Sequence, residues 1–257
     1  MTEETPTELV AKKVHVPPTP VVEEITPWMR GLAGAVRVGL AGLTRLKVEG
    51  ALDEIPAEGP IIVAANHSSN LDAAVLASAL MPRFGRRWQW LGKQELFAWP
   101  VVGWVAHHGG VHPVDRAGAD VEAYRLAKKL LEEGHILFAF PEGTRSRDGT
   151  LHEARDGAAV LALRTGAPII PVGIAGSFRV WPRGQKLPHP GGHVTVRVGS
   201  PFRLADLLPP DVDRRTAKGL ATTLLMRRIA ELLPPAQQGV YASTEVHAIR
   251  PPAAPAR

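Results

Sequence analysis

The sequence contains no cysteine. That excludes disulfides, thiolate nucleophiles and cysteine metal ligands together, and fits an oxidising or a reducing compartment equally. It also lacks any run of the roughly 18 to 20 uninterrupted apolar residues that a membrane-spanning helix needs. The nearest approach, GLAGAVRVGLAGLTRLKV over 31–48, is broken by Arg37 and Arg45. The opening MTEETPTELV is acidic and polar where a secretory signal requires a basic start and an apolar centre. No internal repeat is present, and no G-x-S-x-G elbow that would present a serine nucleophile. These absences predict an intracellular protein, soluble or peripherally bound to a membrane.

With 257 residues, 45% of them hydrophobic, the chain can bury one sizeable core, so a single domain is expected. A net charge of +5 points to a negatively charged partner: nucleic acid, a phosphorylated small molecule or an anionic membrane. Residues 1–26 mix acidic residues with Pro6, Pro17, Pro18 and Pro20 and read as a flexible leader; 241–257, ending AIRPPAAPAR, reads as a flexible tail. The folded domain is then 27–240.

Strand patterns fall at 44–50, 60–66, 87–92, 109–116, 135–142, 167–174 and 193–199. Three of them, IIVAA, ILFAF and PIIPVGI, are nearly continuous apolar runs, as strands covered on both faces require. Helical patterns fit at 70–81, 118–133, 155–165 and 213–233, with Gly134 and Gly166 where terminating glycines belong. The alternation predicts an α/β fold: a mostly parallel or mixed central sheet covered by helices, with an N-terminal amphipathic helical segment over 28–46. In that segment small and aliphatic residues are flanked by Arg30, Arg37, Arg45 and Lys47, which suits a helix lying in a membrane interface and equally a first helix packed on the sheet. The uncharged run 96–106, LFAWPVVGWVA, carries Trp99 and Trp104 and suits a membrane interface, the core or the lining of an apolar groove.

Two segments carry chemistry. In AANHSSNLDAAVLASAL, His67 directly follows a strand and Asp72 opens a helical pattern. Residues five apart on a helix lie about 140° apart, so the side chains meet only if His67 is in the loop and Asp72 in the first turn, with Ser69 at the N-cap. The carboxylate would then fix the imidazole tautomer and stabilise the imidazolium, half of a triad whose nucleophile must come from the substrate. The alternative is a simple helix cap. In FPEGTRSRDG, a strand end leads into Glu142, Gly143, Thr144 and Arg145: a flexible backbone, a hydroxyl and a guanidinium suited to clamp a phosphate or carboxylate. Arg116, ending GGVHPVDR, is a second candidate anion ligand. His107, His108 and His112 could be drawn into a metal site, but their spacing is irregular and no carboxylate partner is evident, so no metal is expected. Arg83, Arg86 and Arg87 beside Trp88 and Trp90 could serve a nucleic acid, but read more easily as a solvated loop or a surface for anionic lipid or a carrier protein.

These segments, in order, resemble the four motif blocks of the glycerolipid acyltransferase family: NHSSNLD, GGVHPVDR, FPEGTRS and IIPVGI (169–174), with GKQELFAWPVVGWV resembling the K-x-E-L segment between the first two. The likeness spans 45–200. It implies that His67, oriented by Asp72, removes a proton from an acceptor hydroxyl that attacks the thioester of acyl-CoA or acyl carrier protein, with no other cofactor. It implies that Arg116 and Arg145, with Gly143 and Thr144, hold the phosphate of a lysophospholipid such as 1-acyl-glycerol-3-phosphate, that Glu142 organises their loop, and that Pro171 contributes to acyl or acceptor fit. Lys93 would steady an oxyanion or a phosphate. Peripheral contact with an anionic membrane, at the cytoplasmic face of the plasma membrane, and no nucleic acid follow from the same likeness. One departure stands out: Arg155-Asp156-Gly157 occupies the place where members carry a lysine before the glycine.

Overall fold

Seven strands form one mixed sheet in the computed structural model, which describes residues 19–21, 24–114 and 120–242. They are β1 (Thr44–Gly50), β2 (Ile61–Ala65), β3 (Trp88–Lys93), β4 (Val111–Val114), β5 (Ile136–Ala139), β6 (Ile169–Ala175) and β7 (Gly192–Val198), in spatial order β1-β7-β6-β2-β5-β3-β4. From β6 to β4 all neighbours are parallel; β7 is antiparallel to β6 and parallel to β1. All seven runs expected to form strands do so. The fifth stops at Ala139, two residues short of Pro141, which has no N–H to give a ladder.

Among the described residues seven α-helices flank the sheet: α1 (Pro27–Leu43), α2 (Asp72–Val75), α3 (Pro100–His108), α4 (Asp120–Glu132), α5 (Gly157–Thr165), α6 (Ser177–Val180) and α7 (Arg214–Ala230). Strand alternation sends Ile61, Val63 and Ala65 of β2 to one face, where they meet Ile170, Val172 and Ile174 of β6 together with Met29 and Leu40 of α1. Ile62 and Ala64 point to the other face, against Leu130 of α4, Ala159 of α5 and Leu225 and Met226 of α7. Ile61, Ile62 and Val63 are fully buried, the double coverage that their continuous apolar run demands. Gly134 and Gly166 both take left-handed conformations after their helices.

Four expectations need correction. The 28–46 pattern ends as helix at Leu43, because from Thr44 the chain pairs with β7 and alternates, with Leu46 and Val48 against the core. The single helix expected over 70–81 is instead α2 followed by a π-helical stretch at Leu76–Leu80 and a 3₁₀ turn at Met81–Phe84, where Pro82 withdraws a backbone donor. The arginine–tryptophan cluster is not a solvated loop. Trp88 is fully buried, Arg87 is buried with Nη2 donating to the Pro20 carbonyl, and Arg86 donates to the Gly59 and Gly134 carbonyls. Part of the segment read as a leader also packs on the domain: Thr19 is buried and donates to the Val111 carbonyl, and Ile25 lies in the core.

Register fixes the functional edge. Ile136 of β5 pairs with both Ile61 and Trp88, so five residues on Asn66, Pro141 and Lys93 stand level, with Val114 paired to Lys93. The segments that leave β2, β5 and β3 therefore emerge together at the carboxyl edge of the parallel strands, where open α/β sheets place their ligands.

Candidate active site

The chain leaves β2 through Asn66, whose side-chain amide extends the ladder by accepting from the Ile174 N–H (2.7 Å) and donating to the Ile174 carbonyl (3.0 Å). This places His67 in the loop with its ring stacked on Phe140, centroids 3.8 Å apart. Its Nδ1 lies 2.9 Å from Asp72 Oδ2. The geometry demanded by the five-residue spacing is thus met. Ser69 plays only half of the capping part expected of it: Asp72 Oδ2 accepts from the Ser68 and Ser69 N–H groups, both at 2.7 Å, while the Ser69 hydroxyl accepts from the Leu71 N–H rather than from residue 72.

Asp72 is fully buried, and every donor it needs is in place. Its other oxygen, Oδ1, accepts from the Ser177 hydroxyl at 2.6 Å. Ser177 follows β6 across Gly176, whose φ of +83° and whose approach to the His193 carbonyl, 2.1 Å from where a Cβ would stand, require glycine. A carboxylate only accepts, so His67 Nδ1 carries the proton and Nε2 presents its lone pair outward. Among the described residues no side chain bonds that second nitrogen.

The FPEGTRS loop is tied to His67 on both sides of its backbone. Glu142 Oε2 accepts from the His67 N–H at 2.8 Å, Oε1 accepts from the His152 N–H at 3.1 Å, and the Ser146 N–H donates to the His67 carbonyl at 2.7 Å. Burial pushes the Glu142 carboxyl up to about 7, against the two backbone N–H groups that favour its ionised form. Gly143 takes φ +69° with the Arg155 side chain lying against it. Arg145 donates to Asn70 Oδ1, and Arg183 donates to Thr144 Oγ1 at 3.2 Å. Among the described residues, no carboxylate pairs with Arg145, Arg155 or Arg183. Asp156, which stands where a lysine was expected, is instead met by Lys218 of α7 at 2.8 Å and by the Thr222 hydroxyl at 2.7 Å.

The structure thus gathers His67, Asp72, Glu142, Gly143, Thr144 and Arg145. Lys93 is exposed at the same edge, one strand beyond β5. Arg116 lies outside the described residues. Pro171 is not brought to the pair: it projects to the opposite face of β6, beside Gly199 and Leu232. The three histidines do not converge. His112 is buried on Gln89 (2.9 Å), His108 bonds the Trp104 carbonyl, and no group of three metal-ligating side chains occurs among the described residues. Sequence reasoning missed Ser177, Phe140, Asn70 and Arg183. The first and last are distant in sequence and marked by no local pattern.

An acyltransferase family model matches residues 45–175, half of the chain, a span that includes His67, Asp72 and the loop 142–145 and ends just before Ser177 and Arg183. The protein therefore belongs to the glycerolipid acyltransferase family. Among its relatives, a chloroplastic 1-acyl-sn-glycerol-3-phosphate acyltransferase of Brassica napus is 31% identical over 174 residues, 66% of this chain and 49% of the relative. The 1-acyl-sn-glycerol-3-phosphate acyltransferase of Bacillus subtilis is 28% identical over 181 residues, 70% of this chain and 84% of the relative. The chain spans about half the length of the plant relatives it matches. The crystal structure of the 1-acyl-sn-glycerophosphate acyltransferase from Thermotoga maritima superposes with a TM-score of 0.64 at 26% identity, covering 79% of each chain.

Proposed function

We propose that the protein transfers a fatty acyl group from acyl-CoA or acyl carrier protein to the free hydroxyl of a lysophospholipid, foremost 1-acyl-glycerol-3-phosphate, giving phosphatidic acid. One observation carries the reading: an imidazole held through Nδ1 by a buried, fully bonded carboxylate, with the loop that carries Arg145, a guanidinium with no carboxylate partner among the described residues, fastened to the same histidine's backbone. His67 Nε2 takes the proton of the acceptor hydroxyl as its oxygen attacks the thioester carbonyl. The tetrahedral intermediate then expels the thiolate, whose thiol has a pKa of about 8.5, and the imidazolium returns the proton to sulfur. The nearby hydroxyls of Ser68, Ser69 and Ser177 are turned to Asp72, to each other or to the Trp181 carbonyl, which supports direct transfer without an acyl-enzyme.

Arg145 and Arg183, with Gly143 and Thr144 between them, would receive the acceptor's phosphate, joined by Arg116. Lys93 would meet a phosphate or the oxyanion from the neighbouring strand end. Among the described residues no helix is long and apolar enough to cross a membrane. Peripheral contact with an anionic bilayer, at the cytoplasmic face of the plasma membrane, fits both the net charge and a lipid acceptor. The test is acyl transfer by purified protein with several lyso-acceptors and one donor, followed by mass spectrometry of the product. The reading predicts turnover of phosphate-bearing acceptors and its abolition in His67→Ala with the fold intact. Wild-type transfer by His67→Ala, or activity confined to acceptors without phosphate, would overturn it.

A further inference from the structure

Five large apolar side chains are left in water within one short stretch: Leu96, Trp99, Val101, Val102 and Trp104, with Trp99 70%, Val101 77% and Trp104 54% exposed. The helix that carries most of them is inverted relative to an ordinary surface helix. Its small residues Gly103 and Ala106 face the body of the protein, so close that a Cβ on Gly103 would stand 2.6 Å from the Phe97 carbonyl oxygen, while its bulky residues face out. Such an exposed cluster marks an interaction surface rather than a folding requirement.

Its position and charge name the occupant. The 3₁₀ turn Gln94–Ala98 that begins the stretch follows Lys93 directly, so the cluster stands at the same sheet edge as His67. Trp28 in the first turn of α1 joins it, its ring 5.2 Å from that of Trp104. Neither α1 nor the run 96–114 contains an acidic residue, Glu95 at the start of the turn being the carboxylate beside them, and α1 exposes Arg30 and Arg37. Tryptophan is amphipathic and settles at the headgroup level of bilayers, and basic residues beside it favour anionic lipid.

We propose that α3 and the turn before it, joined through Trp28 to α1, form a platform that seats in the interfacial zone of an anionic bilayer and sets the catalytic edge of the sheet against the leaflet that holds the acceptor. The choice of a bilayer as occupant rests on the lipid acceptor proposed above. The test is co-sedimentation of the full chain with vesicles of phosphatidylcholine and phosphatidylglycerol at 7:3, and with phosphatidylcholine alone. In the double variant Trp99→Ser, Val101→Ser, Trp104 is kept so that its contact with Trp28 survives. Partition onto the mixed vesicles should fall roughly tenfold or more. The thermal melt should not move, and transfer to a short-chain lysophosphatidate dispersed below its micelle concentration should stay within twofold of wild type. Equal binding of both proteins would overturn the platform, as would wild-type binding that is no weaker on phosphatidylcholine alone. A lipid-free dimer that the variant abolishes would also overturn it, assigning the surface to self-association. Vesicle binding that depends on Trp99 and Val101, in a protein that acylates nothing, would leave the platform standing and remove the proposed reaction.

Discussion

Replacing Asp72 by Asn separates two roles that a carboxylate usually performs together. Asp72 Oδ2 faces three donors, the His67 Nδ1–H and the Ser68 and Ser69 N–H groups, and an amide nitrogen cannot stand opposite them. The carboxamide oxygen of the variant must therefore occupy that corner, and its NH₂ turns to the Ser177 hydroxyl, which can accept from it and donate to Ser68 Oγ. Orientation and tautomer of His67 are preserved; only the negative charge is lost. With Nδ1 and Oδ2 2.9 Å apart, the charge centres lie about 4 Å apart, which at an effective dielectric constant of about 20 makes the carboxylate worth roughly 4 kcal/mol to the imidazolium. Asp72→Asn should then lower kcat about 10³-fold with little change in KM, read from thiol release at saturating donor and acceptor. Its unfolding free energy should fall by less than about 2 kcal/mol, whereas Asp72→Ala strands three buried donors and should lose more than about 3 kcal/mol. A variant within tenfold of wild type in kcat would refute the electrostatic argument. Equal destabilisation by Asn and Ala would refute the pinned orientation.

Three further outcomes are expected. Ser177→Ala removes the hydrogen bond to Asp72 Oδ1 while leaving three donors on Oδ2, so kcat should fall only about tenfold, with Ser177→Thr restoring most of it in steady-state assays. Arg183→Ala should raise KM for a phosphate-bearing acceptor by roughly tenfold at nearly constant kcat, since an anchoring contact serves ground and transition states alike. The third concerns pH. Burial raises Glu142 from 4.5 to about 7, so its folded state holds a proton that the unfolded chain releases, and stability is lost as pH rises through that window. His112 is depressed by burial from 6.5 to about 4, so its contribution is full above 6.5 and lost as pH falls towards 4. The two slopes oppose each other between about 4.5 and 6.5, and each spans on the order of 2 kcal/mol. Urea midpoints of wild type should therefore change little across that interval. In Glu142→Gln they should rise with pH and in His112→Gln fall, and parallel behaviour of the two variants would refute the assignment.

Some of this protein is determined by sequence alone. The continuous apolar runs at β2, β5 and β6 predict strands covered on both faces, because alternation is lost only where neither face meets water. The five-residue interval from His67 to Asp72 requires a loop histidine and a first-turn aspartate for local steric reasons, and both are found there. Residues 142–145 are legible as a loop because Gly143 follows a strand end. What only the tertiary structure decided depends on which strands become neighbours. The β6 crossover brings Ser177 to Asp72 across 105 positions, and the pairing of β5 with β2 lays Glu142 and Ser146 on the backbone of His67. The same holds for the misread parts. Arg86 and Arg87 look solvated until β3 is placed inside the sheet and their guanidiniums find backbone carbonyls of distant segments. The uncharged run 96–106 has no period that separates core from surface, so only the packing of Gly103 on Phe97 shows that its tryptophans face outward. Short-range spacing prescribes the shape of each piece, while the donors that hold the site are supplied by chain segments whose nearness no local pattern records.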